Sequence, residues 1–480
     1  MAHDREAGTM RILQVSHDFL PGHRAGAEIY TYNLCREMAR TGHDIHLFFT
    51  EHKPAMPQYS SREGLFGDIH YTEVVNNHCQ KRFEETYNNP RMDEIFRSLI
   101  DSFKPDVMHI QHLLYHSTNY PRIASEAGIP SVMTLHDFWL ICEQEGKRMR
   151  AYFPGESHDD AWKGERFGCV KLCDEIVAAD CAKCWNRRPT LAGGLERAGG
   201  LALRAARRLL GLDLTAMARR HYEKMRPDAA SPEASPPKGP LAAADITRRN
   251  DYIRDALAHV SRFICPSRFL AKEMKRYGYP EEKLLVSDYG FRTEAFDDFR
   301  RTVGDGIRFG YVGTPAELKG VHVLVKAFRE LAADNASLEI FGDTQTFPQY
   351  TAWLRGLAGD ARVSFHGRFA PDAVAEVFSQ IDVLVVPSIW FENSPLVIHE
   401  AFMSRTPVIA SNLGGMADLV ENGVSGLLFK PGDYKDLAAK MRALLEEPAM
   451  IENLAGAAPR VKTVAEDAES LERLYGSCRP

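Results

Sequence analysis

Residues 307–331 read IRFGYVGTPAELKGVHVLVKAFREL, and this stretch indicates the fold class. It begins with the apolar run IRFGYVG, which is typical of a buried parallel strand. The loop TPAELKG follows, and in VHVLVKAFREL the apolar residues return at helical spacing. A strand that passes through a short loop into a helix is the repeating unit of a doubly wound α/β sheet. The stretch therefore predicts this class of fold.

The same unit recurs in both halves of the chain. After the opening stretch come the apolar runs SLEIFGD, RVSFHGR, DVLVVPS and PVIAS, separated by helical segments. In the first half, RILQVSH is followed by a loop, a helical pattern from Glu28 to Arg40 and the strand-like runs IHLFFT, DVMHIQH and SVMTLHD. We therefore predict two Rossmann-like, doubly wound parallel-sheet domains that face each other across a cleft. The predicted domains span residues 1–295 and 296–465, and residues 466–480 form a helix or tail that packs back on the first domain.

The composition limits the possible classes of protein. A chain of 480 residues is too long for one hydrophobic core, and its 44% hydrophobic and 26% charged residues are ordinary for a globular protein. The net charge of −6 gives no indication of a nucleic-acid partner. The sequence has neither an apolar signal core near its N-terminus nor a segment of membrane-spanning length. We therefore expect a cytoplasmic protein, in which cysteines are reduced or bind metal.

Two inserts interrupt the first predicted domain, one rich in cysteine over residues 142–190 and one helical and rich in proline over residues 191–245. The cysteines of the first insert read C-x3-C-x7-C-x2-C, with Cys142 upstream. Because four thiolates hold zinc in closed tetrahedral sites, we hypothesise a structural zinc ion, with reduced thiols and then disulfides as the alternatives. The predicted zinc ligands are Cys169, Cys173, Cys181 and Cys184.

A second candidate metal site is the segment HIQHLLYH, which contains His109, His112 and His116. The segment spans the end of a predicted strand and the loop after it. A metal site in this segment is the less favoured interpretation.

Residues 200–225 fit an amphipathic helix. One stripe of it is apolar and contains Leu203, Leu210, Leu214 and Met217. Another stripe is basic and contains Arg204, Arg207, Arg208, Arg219 and Arg220. A basic amphipathic helix can lie on anionic lipid, which predicts peripheral contact with the inner face of the plasma membrane. The alternative is a helix that packs on its own domain.

The segment WFENSPLVIHEAFMSRTPVIA contains a candidate anion site at a helix start. Ser394 fits the N-cap and Pro395 the first helical position. The amides of Leu396 and Val397 then fall in the first turn, where backbone N–H groups lack acceptors and attract phosphate. Glu400 lies one turn further on the same face, where a carboxylate can accept hydrogen bonds from sugar hydroxyls.

Several motifs, in order along the chain, resemble one family. They are AGAEIYTYNLCREMARTGHDI and VMTLHDFW in the first half, and YVGTPAELKGVHVLVKAF, VPSIWFENSPLVIHEAF and TPVIASNLGGMADLVENGVSGLLF in the second. Glu392 and Glu400 stand at the family's E-x7-E spacing. In these motifs the chain is similar to the retaining, nucleotide-sugar-dependent glycosyltransferases of family four, also described as glycosyl transferases group 1. The resemblance covers nearly the whole chain outside residues 142–245.

The resemblance implies the GT-B fold, in which two Rossmann-like domains enclose the substrate cleft. It also implies transfer of a sugar from a nucleoside-diphosphate sugar to an acceptor hydroxyl, with retention of anomeric configuration and no cofactor required for catalysis. The first domain would then carry the acceptor and the second the donor. The expected partners are the nucleotide sugar and a glycan or lipid-linked acceptor, in bacterial polysaccharide or glycan biosynthesis.

The resemblance further implies roles for single residues. Glu400 would hold the ribose hydroxyls of the nucleotide, and Glu392 would face the transferred sugar. Lys319 would neutralise the departing diphosphate, because a cation there stabilises charge that develops in the transition state. His136 would hydrogen-bond the donor sugar near the reacting carbon. The remaining expected substrate contacts, with the diphosphate, the base or the acceptor, involve Gly26, Arg368, Asn393, Ser394, Leu396 and Val397.

The chain departs from the family pattern around the diphosphate. Thr314 stands where the family commonly has an arginine, and Ala25 replaces the first of two glycines. Arg24 or Arg292 is a candidate replacement for the missing cation, while DYGF at 288–291 stands where the family often has Asn-Gly. These departures keep open a non-catalytic nucleotide-sugar-binding or scaffold protein with a degenerate GT-B site. A glycosidase also uses two carboxylates, but it would have no use for phosphate-binding groups.

Overall fold

A computed structural model of the chain describes residues 9–23, 25–77, 82–144, 146–151, 170–186, 240–302, 304, 306–331 and 333–479. Two separate sheets contain most of its strands, and nearly all strand pairs within them are parallel. The predicted fold class, α/β with two doubly wound sheets, is confirmed. The predicted amphipathic helix at residues 200–225 lies outside the described residues.

The first sheet has eight strands, which belong to the N-terminal part of the chain. They are β1 (Arg11–Ser16), β2 (Asp44–Glu51), β3 (Ser61–Phe66), β4 (Ile69–Val75), β5 (Val107–Ile110), β6 (Ser131–Thr134), β9 (Arg262–Cys265) and β10 (Leu284–Val286). Their order across the sheet is β10-β9-β6-β5-β1-β2-β4-β3. Only β3 runs antiparallel to its neighbour. Within the cysteine-rich insert, β7 (Met149–Ala151) and β8 (Val170–Leu172) form a separate antiparallel pair.

The second sheet has six parallel strands from the C-terminal part. They are β11 (Ile307–Val312), β12 (Ala336–Phe341), β13 (Val363–Gly367), β14 (Val383–Val386), β15 (Val408–Ser411) and β16 (Gly426–Phe429). Their order is β13-β12-β11-β14-β15-β16. The chain order reverses direction beside β11, which is where doubly wound sheets usually bind ligands.

Helices connect the strands. In the N-terminal part they are α1 (Gly26–Arg40), α2 (Pro90–Phe103), α3 (Tyr120–Glu126), α4 (Ala178–Asn186), α5 (Ala243–Leu257) and α6 (Arg268–Arg276). In the C-terminal part they are α7 (Val321–Arg329), α8 (Pro348–Ala358), α9 (Val374–Ser379), α10 (Leu396–Met403), α11 (Gly414–Leu419), α12 (Tyr434–Glu446), α13 (Ala449–Gly456) and α14 (Val464–Cys478). Among the described residues, no helix is both long and apolar enough to cross a lipid bilayer.

The central strands are buried on both faces. Leu13 and Val15 of β1 belong to one hydrophobic cluster, while Ile12, directly before Leu13, belongs to another. The second cluster also contains Ile398 and Phe378 of the C-terminal part, so apolar packing is continuous across the two sheets. Burial on both faces explains why these strands read as nearly unbroken apolar runs in the sequence.

The last helix, α14, returns to the N-terminal sheet. The Tyr475 hydroxyl lies 2.6 Å from Nδ1 of His109 on β5. The buried carboxylate of Asp467 accepts hydrogen bonds from the Tyr30 hydroxyl of α1 at 2.9 Å and from Lys462 Nζ at 2.7 Å. These polar contacts fasten the end of the chain to the first sheet.

Replacing Asp467 with alanine should destabilise the protein by about 3 kcal/mol, because it leaves the buried Tyr30 hydroxyl without its acceptor and removes the carboxylate that pairs with the Lys462 ammonium. Urea denaturation followed by tryptophan fluorescence measures the change. Glu469→Ala on the same helix is the matched control, since its side chain is 67% exposed and lies 4.0 Å from Arg473. Equal stability of the two variants would contradict the fastening role of Asp467.

Candidate functional site

Two loops of the second sheet bring Lys319 and Glu392 together. The loop after β11 contains Lys319, and the loop after β14 contains Glu392. Lys319 Nζ donates a hydrogen bond to Glu392 Oε1 over 2.7 Å. Gly320, with φ of 67°, permits this approach, because a Cβ there would lie 1.9 Å from the carbonyl oxygen of Pro387.

The environment of Glu392 favours its ionised form. Burial alone would raise the pKa of this carboxyl, but the Lys319 ammonium and hydrogen bonds to the carboxylate lower it below its ordinary value. One of these bonds comes from the Ser388 hydroxyl at 2.6 Å. Lys319 also lies 5.3 Å from the ring centroid of Trp390, so the ammonium stands between a carboxylate and an aromatic face. Its side chain is 39% exposed, which leaves it accessible to an anion from the cleft.

The predicted helix start lies in the same place, but its cap differs from the prediction. α10 begins at Leu396, with extended backbone at Pro395, and the Ser394 side chain does not cap it. Instead the Ser394 hydroxyl donates to Asp288 Oδ1 at 2.7 Å and lies 2.9 Å from His399 Nε2. The prediction of Ser394 as the N-cap is therefore wrong, because tertiary partners engage its oxygen. Leu396 and Val397 remain in the first turn, where their amides have no intrahelical acceptor.

Glu400 lies one turn into α10 and differs from Glu392 in its surroundings. Burial raises the pKa of its carboxyl to about 7. No cation or hydrogen-bond donor within the described ranges offsets this effect. The side chain is nevertheless partly exposed, so a ligand can reach it. A ligand whose hydroxyl groups donate hydrogen bonds would stabilise the ionised form of this carboxyl group.

The residues beside Glu392 contact the first sheet. Asn393 Nδ2 donates to the carbonyl oxygen of Leu135 at 2.8 Å, and its Oδ1 accepts from the Ser267 hydroxyl at 2.7 Å. Behind the loop, Gly415 allows close packing, because a Cβ there would overlap the carbonyl oxygen of Asn393. The amide of Gly415 also donates to the carbonyl oxygen of Glu392. Asn393 thus joins the two sheets rather than standing free in the cleft.

Gly26, at the start of α1, and His136, in the loop after β6, belong to the first domain and face the second domain across the cleft. A Cβ on Gly26 would lie 3.4 Å from Leu396 Cδ1, so the start of α1 faces the start of α10. The His136 ring lies 2.9 Å from both the Tyr289 hydroxyl, through Nδ1, and Gln111 Oε1, through Nε2. Burial lowers the pKa of His136 to about 3, so this imidazole is neutral at physiological pH.

Three arginines were candidate cations near the base or the diphosphate, and the structure describes two of them, Arg368 and Arg292. Arg368, 74% exposed, pairs with Asp343 at the ends of β13 and β12. The guanidinium of Arg292 is 55% exposed and lies 3.6 Å from Glu294. Arg24 lies outside the described residues. Lys319 is thus the cation that the structure brings beside Glu392.

Sequence reasoning missed Ser388, Asp288 and His399. Ser388 follows β14 directly and supports Glu392. Asp288 comes from the loop after β10 and lies 3.3 Å from His399 Nε2. Asp288 is 106 residues from its partner Ser394, and the contact of Ser388 lies within an irregular loop, so neither leaves a periodic signal. The departure DYGF from the family pattern was the only sequence feature that pointed to Asp288.

Two metal sites were predicted from the sequence. Within the described ranges, no group of three or more His, Cys, Asp or Glu side chains is placed so that it could hold a metal ion. Cys169 lies outside those ranges, so the zinc site with Cys173, Cys181 and Cys184 stays a prediction. His109, His112 and His116 make hydrogen bonds to protein groups.

Comparisons with known proteins agree with this geometry. The chain is 36% identical over 159 residues to a D-inositol 3-phosphate glycosyltransferase of Rhodococcus opacus, a match that covers 31% of this chain and 35% of the relative. The chain thus spans about a third of the length of that curated relative. Anabaena HepE in complex with UDP and glucose has a TM-score of 0.58 and 16% identity, over 98% of this chain and all of that one. Sucrose-phosphate synthase of Thermosynechococcus elongatus has a TM-score of 0.61 and 16% identity, over 98% of each chain.

Two family models match the two parts of the chain. The model described as Glycosyltransferase Family 4 matches residues 24–180, and the model described as Glycosyl transferases group 1 matches residues 293–461. The second match contains Lys319, Glu392 and Glu400. With the GT-B arrangement of its structural neighbours, the chain therefore belongs to the glycosyltransferases of family four.

Proposed function

We propose that this protein transfers a sugar from a nucleoside-diphosphate sugar to an acceptor hydroxyl, with retention of anomeric configuration. The observation that carries the proposal is the group at the start of α10. There the unpartnered, partly exposed Glu400 stands one turn from free first-turn amides, beside the Lys319–Glu392 pair. Hydroxyl, diphosphate and sugar groups each find a suitable partner within this one group.

In this proposal the donor lies along the start of α10. Its ribose hydroxyls donate to Glu400, which gives that buried carboxylate the partners it lacks. The diphosphate accepts hydrogen bonds from the amides of Leu396 and Val397. Glu392 faces the transferred sugar. Arg368 would lie near the base, where it would have to share its contact with Asp343.

Lys319 is proposed to act on the leaving group. When the bond between the sugar and the diphosphate breaks, negative charge grows on the diphosphate oxygen, and a fixed ammonium stabilises it. Retention is explained by attack of the acceptor on the same face, with the leaving phosphate taking the acceptor's proton. No protein nucleophile and no metal cofactor is required in this scheme.

His136 has a more limited role in the proposal than the family resemblance implies. Its ring nitrogens already contact Tyr289 and Gln111, so a hydrogen bond to the donor sugar requires that one of these partners be exchanged. The acceptor would enter from the first sheet, beside Gly26. A glycan or lipid-linked acceptor in bacterial polysaccharide or glycan biosynthesis remains part of the proposal, as does a cytoplasmic site of action.

A thermal-shift screen with UDP, GDP and ADP and their glucose or mannose derivatives should identify one stabilising base. A ligand at about 100 times its Kd stabilises the native state by about 2.7 kcal/mol. Glu400→Ala should lose this shift while its melting temperature without ligand stays the same or rises, because the wild-type carboxylate is desolvated without compensation. Glu446→Ala, an exposed carboxylate on α12, is the control. Equal shifts in wild type and Glu400→Ala would contradict the ribose assignment.

The affinity for the nucleotide sugar should fall about tenfold as the pH falls from 8 to 6. Since burial raises the pKa of Glu400 to about 7, the carboxylate that accepts the ribose hydroxyls is mostly present at pH 8 and mostly protonated at pH 6. Isothermal titration with the nucleotide sugar, whose diphosphate does not titrate in this range, measures the change. Glu400→Gln should bind with little dependence on pH; a wild-type slope retained in that variant would assign the titration to another group.

Lys319→Met should reduce release of nucleoside diphosphate from the donor by about 100-fold or more, as expected when a group that stabilises developing charge is lost. Coupled detection of the diphosphate, with water or added glycans as acceptor, gives the rate. Lys435→Met, at an exposed lysine on α12, should leave it unchanged. If wild type binds the donor but neither hydrolyses nor transfers it over a broad acceptor set, the non-catalytic alternative replaces this proposal.

A further inference from the structure

Phe391, the residue directly before Glu392, packs among side chains of the N-terminal part. Its ring stacks on Phe269 of α6, with centroids 5.1 Å apart and an interplanar angle of 25°. It also meets the edge of Phe138, with centroids 6.2 Å apart. Phe391 itself is 7% exposed. The loop that carries Glu392 is therefore inserted into an aromatic pocket of the other domain.

Arg148 of the cysteine-rich insert closes this pocket. Its guanidinium carbon lies 4.7 Å from the ring centroid of Phe391 and 5.1 Å from that of Phe138. The guanidinium donates to Glu273 Oε2 at 2.6 Å and to the carbonyl oxygen of Cys173 at 2.8 Å. The side chain of Arg148 is 1% exposed. One cation thus touches the insert, α6 and the loop of the second domain.

Stability alone is a weak reason to bury this ion pair. Desolvation of the Arg148 and Glu273 charges costs about as much as their attraction returns, and apolar residues of similar volume often serve as well. A planar guanidinium, by contrast, fixes geometry, because it binds a carboxylate and a carbonyl in its plane while its face covers an aromatic ring. The contacts of Arg148 use both of these properties.

Glu392 lies between two residues that the first domain holds. Phe391 sits in the aromatic pocket on one side, and Asn393 bonds to Leu135 and Ser267 on the other. The carboxylate of Glu392 itself points to Lys319 of its own domain. Its position relative to the cleft therefore depends on how firmly both neighbours are held.

We propose that Arg148 is a positioning residue, which holds Phe391 and thereby fixes Glu392 at the sugar site. The cysteine-rich insert is then a support for the loop that carries Glu392, since the carbonyl oxygens of Cys173 and Asp174 both accept hydrogen bonds from the guanidinium. The catalytic part of this inference rests on the proposed function of Glu392. The positioning part concerns the loop itself and is measurable without turnover.

Arg148→Lys tests the proposal, because lysine keeps the charge opposite Glu273 but loses the planar contact with Phe391. We expect hydrogen exchange, measured by mass spectrometry, to accelerate in peptides that cover residues 388–395. Hydrolysis of UDP-glucose, or of the stabilising nucleotide sugar from the screen, should show a kcat about tenfold lower with KM for the donor unchanged. Arg276→Lys is the matched control: Arg276 bonds to the carbonyl of Asp174 at 2.8 Å and lies 3.9 Å from Glu273, but its described contacts do not include Phe391.

A double-mutant cycle separates positioning from general stabilisation. If Arg148 acts through Phe391, the combined variant Arg148→Lys/Phe391→Leu should have about the same kcat as the slower single variant, whereas independent effects would multiply. Unchanged exchange at 388–395 in Arg148→Lys, or a loss of kcat that merely follows the fraction of folded protein, would overturn the proposal. If wild type turns over no donor at all, the proposed function fails, and the exchange difference between Arg148→Lys and Arg276→Lys still decides the positioning role.

Discussion

The contact between Lys319 and Glu392 is the interaction on which the arrangement of the site depends. The two residues are far apart in sequence and come from loops after different parallel strands, yet their charged atoms lie 2.7 Å apart. This approach requires the backbone of the Lys319 loop to touch the end of β14, which only glycine at position 320 permits. The ion pair also keeps Glu392 ionised despite its burial. A buried carboxylate is costly by itself, and the partly exposed Lys319 ammonium lowers the cost of burying that of Glu392.

Glu392 and Glu400 are two carboxylates on one short segment with opposite electrostatic states. The pKa of Glu392 is lowered because the Lys319 ammonium and the hydrogen bond from Ser388 outweigh the effect of burial. The pKa of Glu400 is raised because burial acts without compensation. Opposite pKa shifts in neighbouring carboxyl groups are common at functional sites. Here the protein supplies partners for Glu392, and the carboxylate of Glu400 is left for a ligand. The spacing of the two glutamates therefore indicates a functional site, although neither glutamate would do so by itself.

The two domains are joined close to the site as well as far from it. At a distance, α14 returns to the first sheet through Asp467 and Tyr475. Beside the site, Asn393 and Phe391 contact residues of the first domain, so the loop that carries Glu392 is itself part of the interface. A change in domain closure would therefore act directly on the residues that flank Glu392. Arg148 also connects the cysteine-rich insert to this interface, through its contact with Phe391.

The sequence by itself determined the fold class, most of the central parallel strands, and the placing of Glu392 and Glu400 on one short segment before and within a helix. It could do so because apolar periodicity and short motifs are local properties of the chain. It misplaced the cap of α10, because the Ser394 hydroxyl bonds to Asp288 and His399 rather than to nearby amides. The partners of His136, the support of Glu392 by Ser388 and the burial of Arg148 against Phe391 were decided only by the tertiary structure. The contacts of His136 and Arg148 join residues from separate strands and loops and depend on how the two sheets pack, while the Ser388 contact depends on the conformation of an irregular loop; apolar periodicity records neither.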